Sequence, residues 1–187
     1  IPQNAKKGCY KTTILVQNND KIIDKLNLEV EVVNRTLPSA KDWNFHLDLW
    51  QNPFAEARYF QVEPWSEEHL ESMRPTMELL AKSGQKVITT SIMHKPWGGQ
   101  TEDFFESMVT WRKNIDGSWH FDFDVFDCWV DFMMSCGIDQ QINCYSMIPW
   151  SLSFKYFDQA TNNFKTIEAT PSDSIYAEVW TEMLKQF

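Results

Sequence analysis

The start of the chain alternates apolar and polar side chains with the period of a β-strand. In the segment "LNLEVEVV", Leu28, Val30 and Val32 are separated by polar residues. The preceding segment "CYKTTILVQNN" is rich in β-branched residues, and turn-forming residues lie between the two segments. Alternation with period two is typical of strands that bury one face and expose the other. The pattern therefore predicts two half-solvated antiparallel strands.

After Pro38 the pattern changes to apolar runs of strand length that alternate with segments of helical period. Strands are predicted at about 44–50, 86–93 and 141–147. Helices are predicted from Ser66 to Gly84, from Asp124 to Cys136 and from Ser172 to Phe187. Strands that alternate with helices in this way indicate a parallel α/β sheet.

The first of these helices carries clear start and stop signals. Ser66 is a favourable N-cap, and two glutamates follow it in the first turn. Pro75 predicts a break or kink, with Arg74 as the joint, because proline cannot donate the helical hydrogen bond. Gly84 is expected to end the helix as its C-cap.

Two insertions lie between a strand and the helix that follows it. The segment "MVTWRKNIDGSWHFDF" predicts a hairpin that turns at Asp116-Gly117, and "FKYFDQATNNFKTIEA" predicts a second hairpin. Both add chain at the carboxyl ends of the strands. In α/β sheets and barrels that end is where ligands bind.

A tryptophan follows each of the three predicted strands at this same edge. These residues are Trp50, Trp97 and Trp150, and His94 and Lys95 lie in the turn before the second. One tryptophan after a strand is more often a packing residue than a ligand platform. For three in equivalent positions, packing and a shared ligand site remain equal alternatives.

Alternation within the strands assigns side chains to two faces. In "NFHLDLW", Phe45, Leu47 and Leu49 face one way, toward the covering helices, and His46, Asp48 and Trp50 face the other way. The corresponding sets in the third strand are Ile142 and Cys144 on the first face, and Asn143, Tyr145 and Met147 on the second. In a barrel the second face would point into the lumen near its mouth.

Aromatic rings beside hydrogen-bonding groups suit a ligand that has apolar C–H faces and a rim of hydroxyls, and a carbohydrate fits that description. The candidate sugar-contacting residues are Asp48, Trp50, His94, Trp97, Tyr145 and Trp150. His46 and Asp48 could instead be hydrogen-bonded structural residues. No second histidine pair supports a metal site, so neither a metal nor another cofactor is expected.

Composition narrows the possible partners. The chain has 17 basic and 26 acidic residues, a net charge of -9, and no block of lysine or arginine, so nucleic acid is not an expected partner. Its apolar runs are too short for a membrane span, and its start lacks a signal-peptide pattern. The four cysteines have no metal-binding spacing and are predicted to be small buried hydrophobes.

Several of these segments together resemble a known enzyme family. They are "HLDLWQNP", "YFQVEPWSEEHLESMRPTMELLAKSGQKVITTSIMHKPWGGQT", "SMVTWRKNIDGSWHFDFDVFDCWV" and "INCYSMIPW". The stretch from about Leu37 to Phe187 resembles the first part of the barrel of glycoside hydrolase family 123 and related domains of unassigned specificity. Gly8 to Pro38 resembles the end of the β-sandwich that precedes that barrel.

The resemblance implies an α/β fold consisting of the first three βα units of a TIM-type barrel, residues 39–187, after a short antiparallel segment of a β-sandwich, residues 1–38. It also implies hydrolysis of β-linked N-acetylgalactosamine with retention, in which the substrate's acetamido oxygen is the nucleophile. A glycan or glycoconjugate is then the expected substrate. A periplasmic or extracellular location is suggested by the family alone.

The catalytic residues cannot be placed on this sequence. In the family an adjacent Asp-Glu pair serves catalysis, the Asp orienting the acetamido group and the Glu acting as general acid and base, but the chain contains no Asp-Glu dipeptide. Three βα units are also too few to close a barrel of about eight. The expectation is a fragment of a longer enzyme, or a chain whose remainder is a separate polypeptide, with an open sheet edge available for association. The alternatives are a non-catalytic carbohydrate-binding protein and a structural half-barrel without a ligand.

Overall fold

The alternating segment at the start of the chain forms a long antiparallel hairpin. The computed structural model describes residues 1–2 and 4–187, and it places β1 at Gly8–Asn18 and β2 at Lys21–Val32. The strands pair from Gly8 opposite Val32 to Asn18 opposite Lys21, with a bulge at Val16/Gln17. The predicted antiparallel pair is therefore confirmed.

This hairpin belongs to a compact unit of its own, Ile1–Ser39, and the rest of the chain, Ala40–Phe187, forms a second unit. The strand register places most of the hairpin's apolar side chains on one face. They are Tyr10, Ile14, Val16, Leu26, Leu28 and Val30. Most of them are exposed within the unit. That the hairpin is the end of a β-sandwich stays a prediction.

The second unit consists of strands and helices in mixed order, and it begins with a short 3-10 turn at Ala40–Asp42. The helices are α1 (Pro53–Phe60), α2 (Glu67–Lys82), α3 (Asp124–Ser135) and α4 (Ser174–Gln186). The strands are β3 (Val87–Ser91), β4 (Thr110–Lys113), β5 (Trp119–Asp122), β6 (Gln141–Tyr145), β7 (Ser153–Asp158) and β8 (Asn163–Glu168). The fold class is mixed α/β.

Two of the three predicted parallel strands are present and adjacent. β3 and β6 pair in parallel, with Val87 opposite Gln141 and Ser91 opposite Tyr145. β3 is buried throughout, and α3 covers it, since the Trp129 indole donates to the carbonyl oxygen of Thr89 at 2.9 Å. The parallel βα arrangement is confirmed for this pair, whereas closure into a TIM-type barrel stays a prediction.

The first predicted strand, 44–50, is not a regular strand. A single parallel bridge joins Leu47 to Gln85, and the Lys86 amide donates to the Leu47 carbonyl oxygen. Beyond that point glutamine side chains replace the backbone ladder. Gln85 bonds both the amide and the carbonyl of Leu49, and Gln51 accepts from the Thr89 amide at 2.9 Å. The segment therefore lies parallel to β3 but is held to it by side-chain amides.

The expected burial of one face of this segment is wrong. Phe45 is 66% exposed and Leu49 is 49% exposed, while Leu47 is half-buried. Residues of a strand alternate between two faces only when the backbone is regularly pleated. This segment lacks a regular pleat, because glutamine side chains rather than a continuous backbone ladder hold it to β3.

The two inserted hairpins are confirmed, and they join into one sheet that the sequence did not indicate. The order is β5-β4-β7-β8, with parallel pairing between β4 and β7. α4 packs on this sheet, where the Trp180 ring meets those of Trp111 and Phe154 edge to face. Gln186 at its end bonds the backbone at Trp119 and Phe121.

The position of α4 overturns the predicted burial of Ile142 and Cys144. Both residues lie on β6 and both are exposed. They were expected to pack under a helix, but the last helix covers the four-stranded sheet instead. One edge of β6 also has no strand partner among the described residues. The open edge expected from the sequence is therefore present in this part of the chain.

The helices before β3 depart from the prediction in two ways. An unpredicted helix, α1, begins at Pro53 after Asn52, whose side chain accepts from the Phe54 and Ala55 amides. α2 continues through Pro75 without ending, so the predicted break is wrong. Pro75 is exposed, and solvent can replace the hydrogen bond that proline cannot make.

The end of α2 follows the predicted cap. The Gly84 amide donates to the Ala81 carbonyl oxygen and the Gln85 amide to that of Leu80, which is the Schellman pattern. Gly84 adopts a φ of +93°, in the region that favours glycine. The same pattern ends α3, where Gly137 has a φ of +97°.

The cysteine prediction is right in part. Cys136 is buried and Cys128 is partly buried, but Cys9 and Cys144 are exposed. Both exposed residues lie on strands with an uncovered face or edge, so the preference of free cysteine for the interior is not met there. None of the helices in the described part of the chain combines the length and apolar composition needed to cross a membrane.

His69, on α2, is fully buried and holds α1 against α2. Its Nδ1 accepts from the Trp65 amide at 3.0 Å, and its Nε2 bonds the Pro53 carbonyl oxygen at 2.9 Å. One ring nitrogen must therefore be the acceptor, which only the neutral imidazole provides. Burial lowers the pKa of His69, against a smaller opposing effect of the bond to Pro53.

We expect His69 to make the protein less stable in mild acid. Because its pKa is lower in the folded chain than the unfolded value of 6.5, its contribution is complete above that pH and is lost as the pH falls toward the folded pKa. The free energy of unfolding, measured with urea, should fall by up to about 1.4 kcal/mol per pH unit below 6.5 from this group. His69→Gln should flatten the decline. Equal slopes in both proteins would show that His69 is not the responsible group.

Candidate functional site

Three aromatic rings meet where β3 and β6 end. The ring centroids of Trp50 and Trp97 lie 4.7 Å apart, those of Trp97 and Tyr145 4.7 Å, and those of Trp50 and Tyr145 5.2 Å. Phe105 packs edge to face on Trp97 at 4.6 Å. Trp97 is 8% exposed, whereas Trp50 is 52% exposed. Trp50 therefore presents the open surface of this aromatic cluster, and Trp97 supports it.

The backbone after β3 turns sharply to place Trp97. The Ile92 amide donates to the Tyr145 carbonyl oxygen at 2.7 Å, which keeps the two strand ends together. Lys95 adopts a positive φ of 55° and Gly98 one of 62°, and the Gly98 amide donates to the Lys95 carbonyl oxygen at 2.9 Å. Such positive φ values close a tight turn. The turn directs the Trp97 ring back over Tyr145.

A polar pair lies beside the aromatic cluster. The Asn143 side chain donates to Asp48 Oδ2 at 3.1 Å, and the Gln141 side chain donates through Nε2 to Asn143 Oδ1 at 2.6 Å. Asp48 Oδ1 is buried and has no hydrogen-bond partner among the described residues. A buried carboxylate oxygen without a partner costs free energy, and a donor on a ligand could supply the missing bond.

The phenol of Tyr145 is influenced by the same polar pair. Burial raises the pKa of Tyr145, and the negative charge of Asp48 acts in the same direction. Hydrogen bonding with Asn143 and Trp50 opposes this rise in pKa. The phenol therefore stays protonated at neutral pH and can donate a hydrogen bond.

His94 is paired with a carboxylate that sequence reasoning missed. Its Nδ1 lies 2.5 Å from Glu106 Oε2. Burial lowers the pKa of His94, and Lys155 and Lys95 lower it further, while Glu106 raises it. Glu106 lies in the loop after β3. No spacing in the sequence predicts that this loop folds back on His94. Only the folded chain reveals this pair.

The third predicted indole is placed differently from the other two. The Trp150 amide donates to the Pro96 carbonyl oxygen at 3.0 Å, so its backbone lies beside the turn that carries Trp97. Its side chain is 69% exposed, and no ring in the described residues pairs with it. The expected grouping thus holds for the rings of Trp50 and Trp97, whereas Trp150 reaches the same edge through its backbone alone.

The structure brings together most of the candidate residues at one edge of the β3-β6 sheet. Asn143, which alternation had placed on the same face as Tyr145, joins Asp48 there, and Phe105 joins Trp97. The described residues contain no group of three or more His, Cys, Asp or Glu side chains arranged to hold a metal ion. Contact of the candidate residues with a sugar stays a prediction.

Known proteins resemble this chain in sequence and in fold. Residues 50–187 match the family model of the glycoside hydrolase 123 catalytic domain. Among proteins with curated functions, none matched the sequence. A solved structure of a family 123 glycoside hydrolase from Clostridium perfringens, described for glycolipid glycan hydrolysis, superimposes with a TM-score of 0.92 at 32% identity.

That likeness covers 100% of this chain and 34% of the Clostridium perfringens chain. The present chain therefore spans about a third of the length of its solved relative. The matched residues include β3, β6 and all of the aromatic cluster. On both the family model and the structural likeness, the chain belongs to glycoside hydrolase family 123.

Proposed function

We propose that this chain supplies part of the substrate-binding site of a retaining glycoside hydrolase that acts on β-linked N-acetylgalactosamine. One observation carries the proposal. The half-exposed ring of Trp50 lies against Trp97 and Tyr145, directly beside the pair formed by Asp48 and Asn143. A flat aromatic surface next to hydrogen-bonding groups suits a pyranose ring, which has apolar C–H faces and a rim of hydroxyls.

Each group has a distinct role in this proposal. Trp50 stacks on the C–H face of the sugar, with Trp97 behind it as a rigid support. The partnerless Oδ1 of Asp48 accepts from a sugar hydroxyl, and the phenol of Tyr145 donates to a sugar oxygen. His94 and Trp150 extend the site along the same edge.

We place the catalytic acid outside these 187 residues, because they contain no Asp-Glu dipeptide. Substrate assistance replaces the enzyme's nucleophile, but cleavage still needs a proton donor at the glycosidic oxygen. In this proposal β3, β6 and the 44–50 segment form the first part of a TIM-type barrel, residues 39–187, and the hairpin of residues 1–38 ends a β-sandwich. The solved relative, about three times as long, has room for the remaining strands.

The solved relative also suggests a substrate class. Its structure is described for glycolipid glycan hydrolysis, and it shares 32% of its sequence with this chain over the aligned length. We therefore infer that the intact enzyme acts on glycans of glycolipids or related glycoconjugates.

A second candidate is a carbohydrate-binding protein without catalysis. The aromatic cluster is compatible with it, because stacking of a ring on a sugar requires no catalytic acid. Both candidates predict sugar binding at Trp50, and they differ only in turnover.

The proposed site can be tested by replacing its exposed ring. Trp50→Ala removes a half-exposed aromatic surface, and loss of stacking should weaken binding of N-acetylgalactosamine by about two- to tenfold. Binding would be measured by NMR, from shifts of indole N–H resonances during titration. Trp50→Phe should retain much of the affinity because it keeps a flat ring.

Tyr59→Ala is the matched control, because Tyr59 is an exposed aromatic residue on α1 outside the aromatic cluster. Its removal should leave the affinity unchanged. If Trp50→Ala and Tyr59→Ala bind N-acetylgalactosamine equally well, the aromatic cluster is not a sugar platform.

A further inference from the structure

We propose that Glu106 is a positioning residue, which holds His94 in the tautomer whose Nε2 accepts a hydrogen bond from a hydroxyl of the bound sugar. The inference rests on the proposed function for the identity of the ligand. The role of Glu106 rests on the geometry of the pair alone, and neither the family match nor the sequence pattern indicates it.

The tautomer follows from the chemistry of the two partners. Glu106 Oε2 lies 2.5 Å from His94 Nδ1, and an ionised carboxylate can only accept hydrogen bonds. Nδ1 must therefore carry the hydrogen. In a neutral imidazole the other nitrogen, Nε2, is then an acceptor. A carboxylate that fixes the tautomer of a functional histidine in this way is a recurring arrangement.

The surroundings of His94 keep the ring neutral. The charged groups that act on it are Glu106, from the loop after β3, Lys95, its neighbour in the chain, and Lys155, on β7. Burial is the largest effect on the pKa of His94 and lowers it, Glu106 opposes this with a smaller rise, and the two lysines lower the pKa further, so that the net shift is downward from 6.5. At neutral pH His94 therefore offers one donor, already used by Glu106, and one acceptor.

Backbone contacts hold Glu106 at this distance. The Ser91 hydroxyl donates to the Glu106 carbonyl oxygen at 2.5 Å, and the Met108 amide donates to the Ser91 carbonyl oxygen at 2.7 Å. The Lys95 amide donates to the Phe105 carbonyl oxygen at 2.8 Å. Both chain segments that carry the pair are thus tied to the end of β3, next to Trp97.

Lys95 is drawn away from the pair, so it does not compete for the carboxylate. Its ammonium lies 3.6 Å from the centroid of the Phe104 ring. A cation over an aromatic face is stabilised by the ring quadrupole. Glu106 therefore stays available as the partner of His94.

The experiment measures the tautomer and the affinity separately. In the wild-type chain, long-range ¹H–¹⁵N NMR spectra should show the His94 ring with a hydrogen on Nδ1 and none on Nε2. In Glu106→Gln the carboxylate is lost, so the His94 pKa should fall and the tautomers should mix. Binding of N-acetylgalactosamine should weaken by about two- to tenfold in this variant.

Glu102→Gln is the matched control, since Glu102 lies in the same loop with a highly exposed side chain. It should change neither the His94 tautomer nor the affinity. Thermal unfolding of each variant, followed by circular dichroism, establishes that it is folded, as expected for the replacement of a half-exposed side chain.

The outcomes separate this inference from the proposed function. A wild-type His94 with its hydrogen on Nε2 overturns the role of Glu106, whatever the sugar does. Lost affinity in Glu106→Gln with an unchanged tautomer also overturns it, because the effect is then a distortion of the loop. A mixed tautomer with unchanged affinity refutes the contact between Nε2 and the sugar.

Failure of the wild-type chain to bind N-acetylgalactosamine overturns the proposed function and the sugar contact together, while the tautomer still reports on the positioning by Glu106.

Discussion

The 187-residue chain is expected to hydrolyse an aryl β-N-acetylgalactosaminide no faster than buffer does. The proposed mechanism needs a general acid at the glycosidic oxygen, and such an acid typically contributes about 10² to 10⁴-fold to the rate. Correct positioning of the substrate contributes further, and it depends on a closed site. In the described part of the chain, β6 instead ends the two-stranded β3-β6 sheet with an open edge.

The measurement is release of the aryl group by the purified chain, compared with its release in buffer alone. A longer form of the protein that includes an Asp-Glu pair should show turnover. Robust hydrolysis by the 187-residue chain would mean that its own carboxylates catalyse the reaction. Asp48→Asn and Glu106→Gln would then identify which of them does so, since both lie at the edge that carries the aromatic cluster.

The sequence predicted correctly those elements that are specified by residues close together in the chain. The hairpin at Asp116-Gly117 is one such element, because the turn residues and the flanking strands specify it without help from the rest of the chain. The end of α2 at Gly84 is another, since its Schellman pattern needs only neighbouring residues. The parallel pairing of β3 with β6 followed from the alternation of strands and helices.

Non-local contacts account for the failures. The 44–50 segment reads as a strand, but its partners are the side chains of Gln51 and Gln85, and no periodic pattern distinguishes these from a backbone ladder. α4 has an apolar face that would suit β6, yet it packs on the sheet built by the two hairpins. That sheet depends on pairing of β4 with β7, which lie some forty residues apart in the sequence.

The candidate site was predictable where strand alternation sets the direction of a side chain. Alternation with period two assigned Asp48, Trp50 and Tyr145 to one face. In the structure Asp48 accepts a hydrogen bond from Asn143 of the same face, and the rings of Trp50 and Tyr145 are in contact. Glu106 and Phe105 come from a loop whose path depends on the Ser91 and Lys95 contacts. Only a pattern of long-range contacts could have identified them.

Trp97 is the residue whose replacement should cost the most stability. The sequence favoured a direct contact between this indole and the sugar, but the ring is 8% exposed and lies between Trp50, Phe105 and Tyr145. Trp97→Ala should therefore lower the free energy of unfolding by roughly 3 to 5 kcal/mol, because it removes a buried indole and leaves a cavity behind. Trp50→Ala, at 52% exposure, should lower it by less than about 1 kcal/mol.

The two variants form a pair that separates support from contact. Urea unfolding followed by circular dichroism measures the stability, and titration with N-acetylgalactosamine at low temperature, where Trp97→Ala is still folded, measures the affinity. We expect Trp97→Ala to be the less stable variant and Trp50→Ala to be weak in binding with near-normal stability. If Trp97→Ala keeps the stability of the wild type and loses affinity, the indole contacts the sugar directly and the support role is wrong. Loss of both properties in Trp97→Ala, with a normal Trp50→Ala, would instead place the sugar on the Trp97 side of the aromatic cluster, away from Trp50.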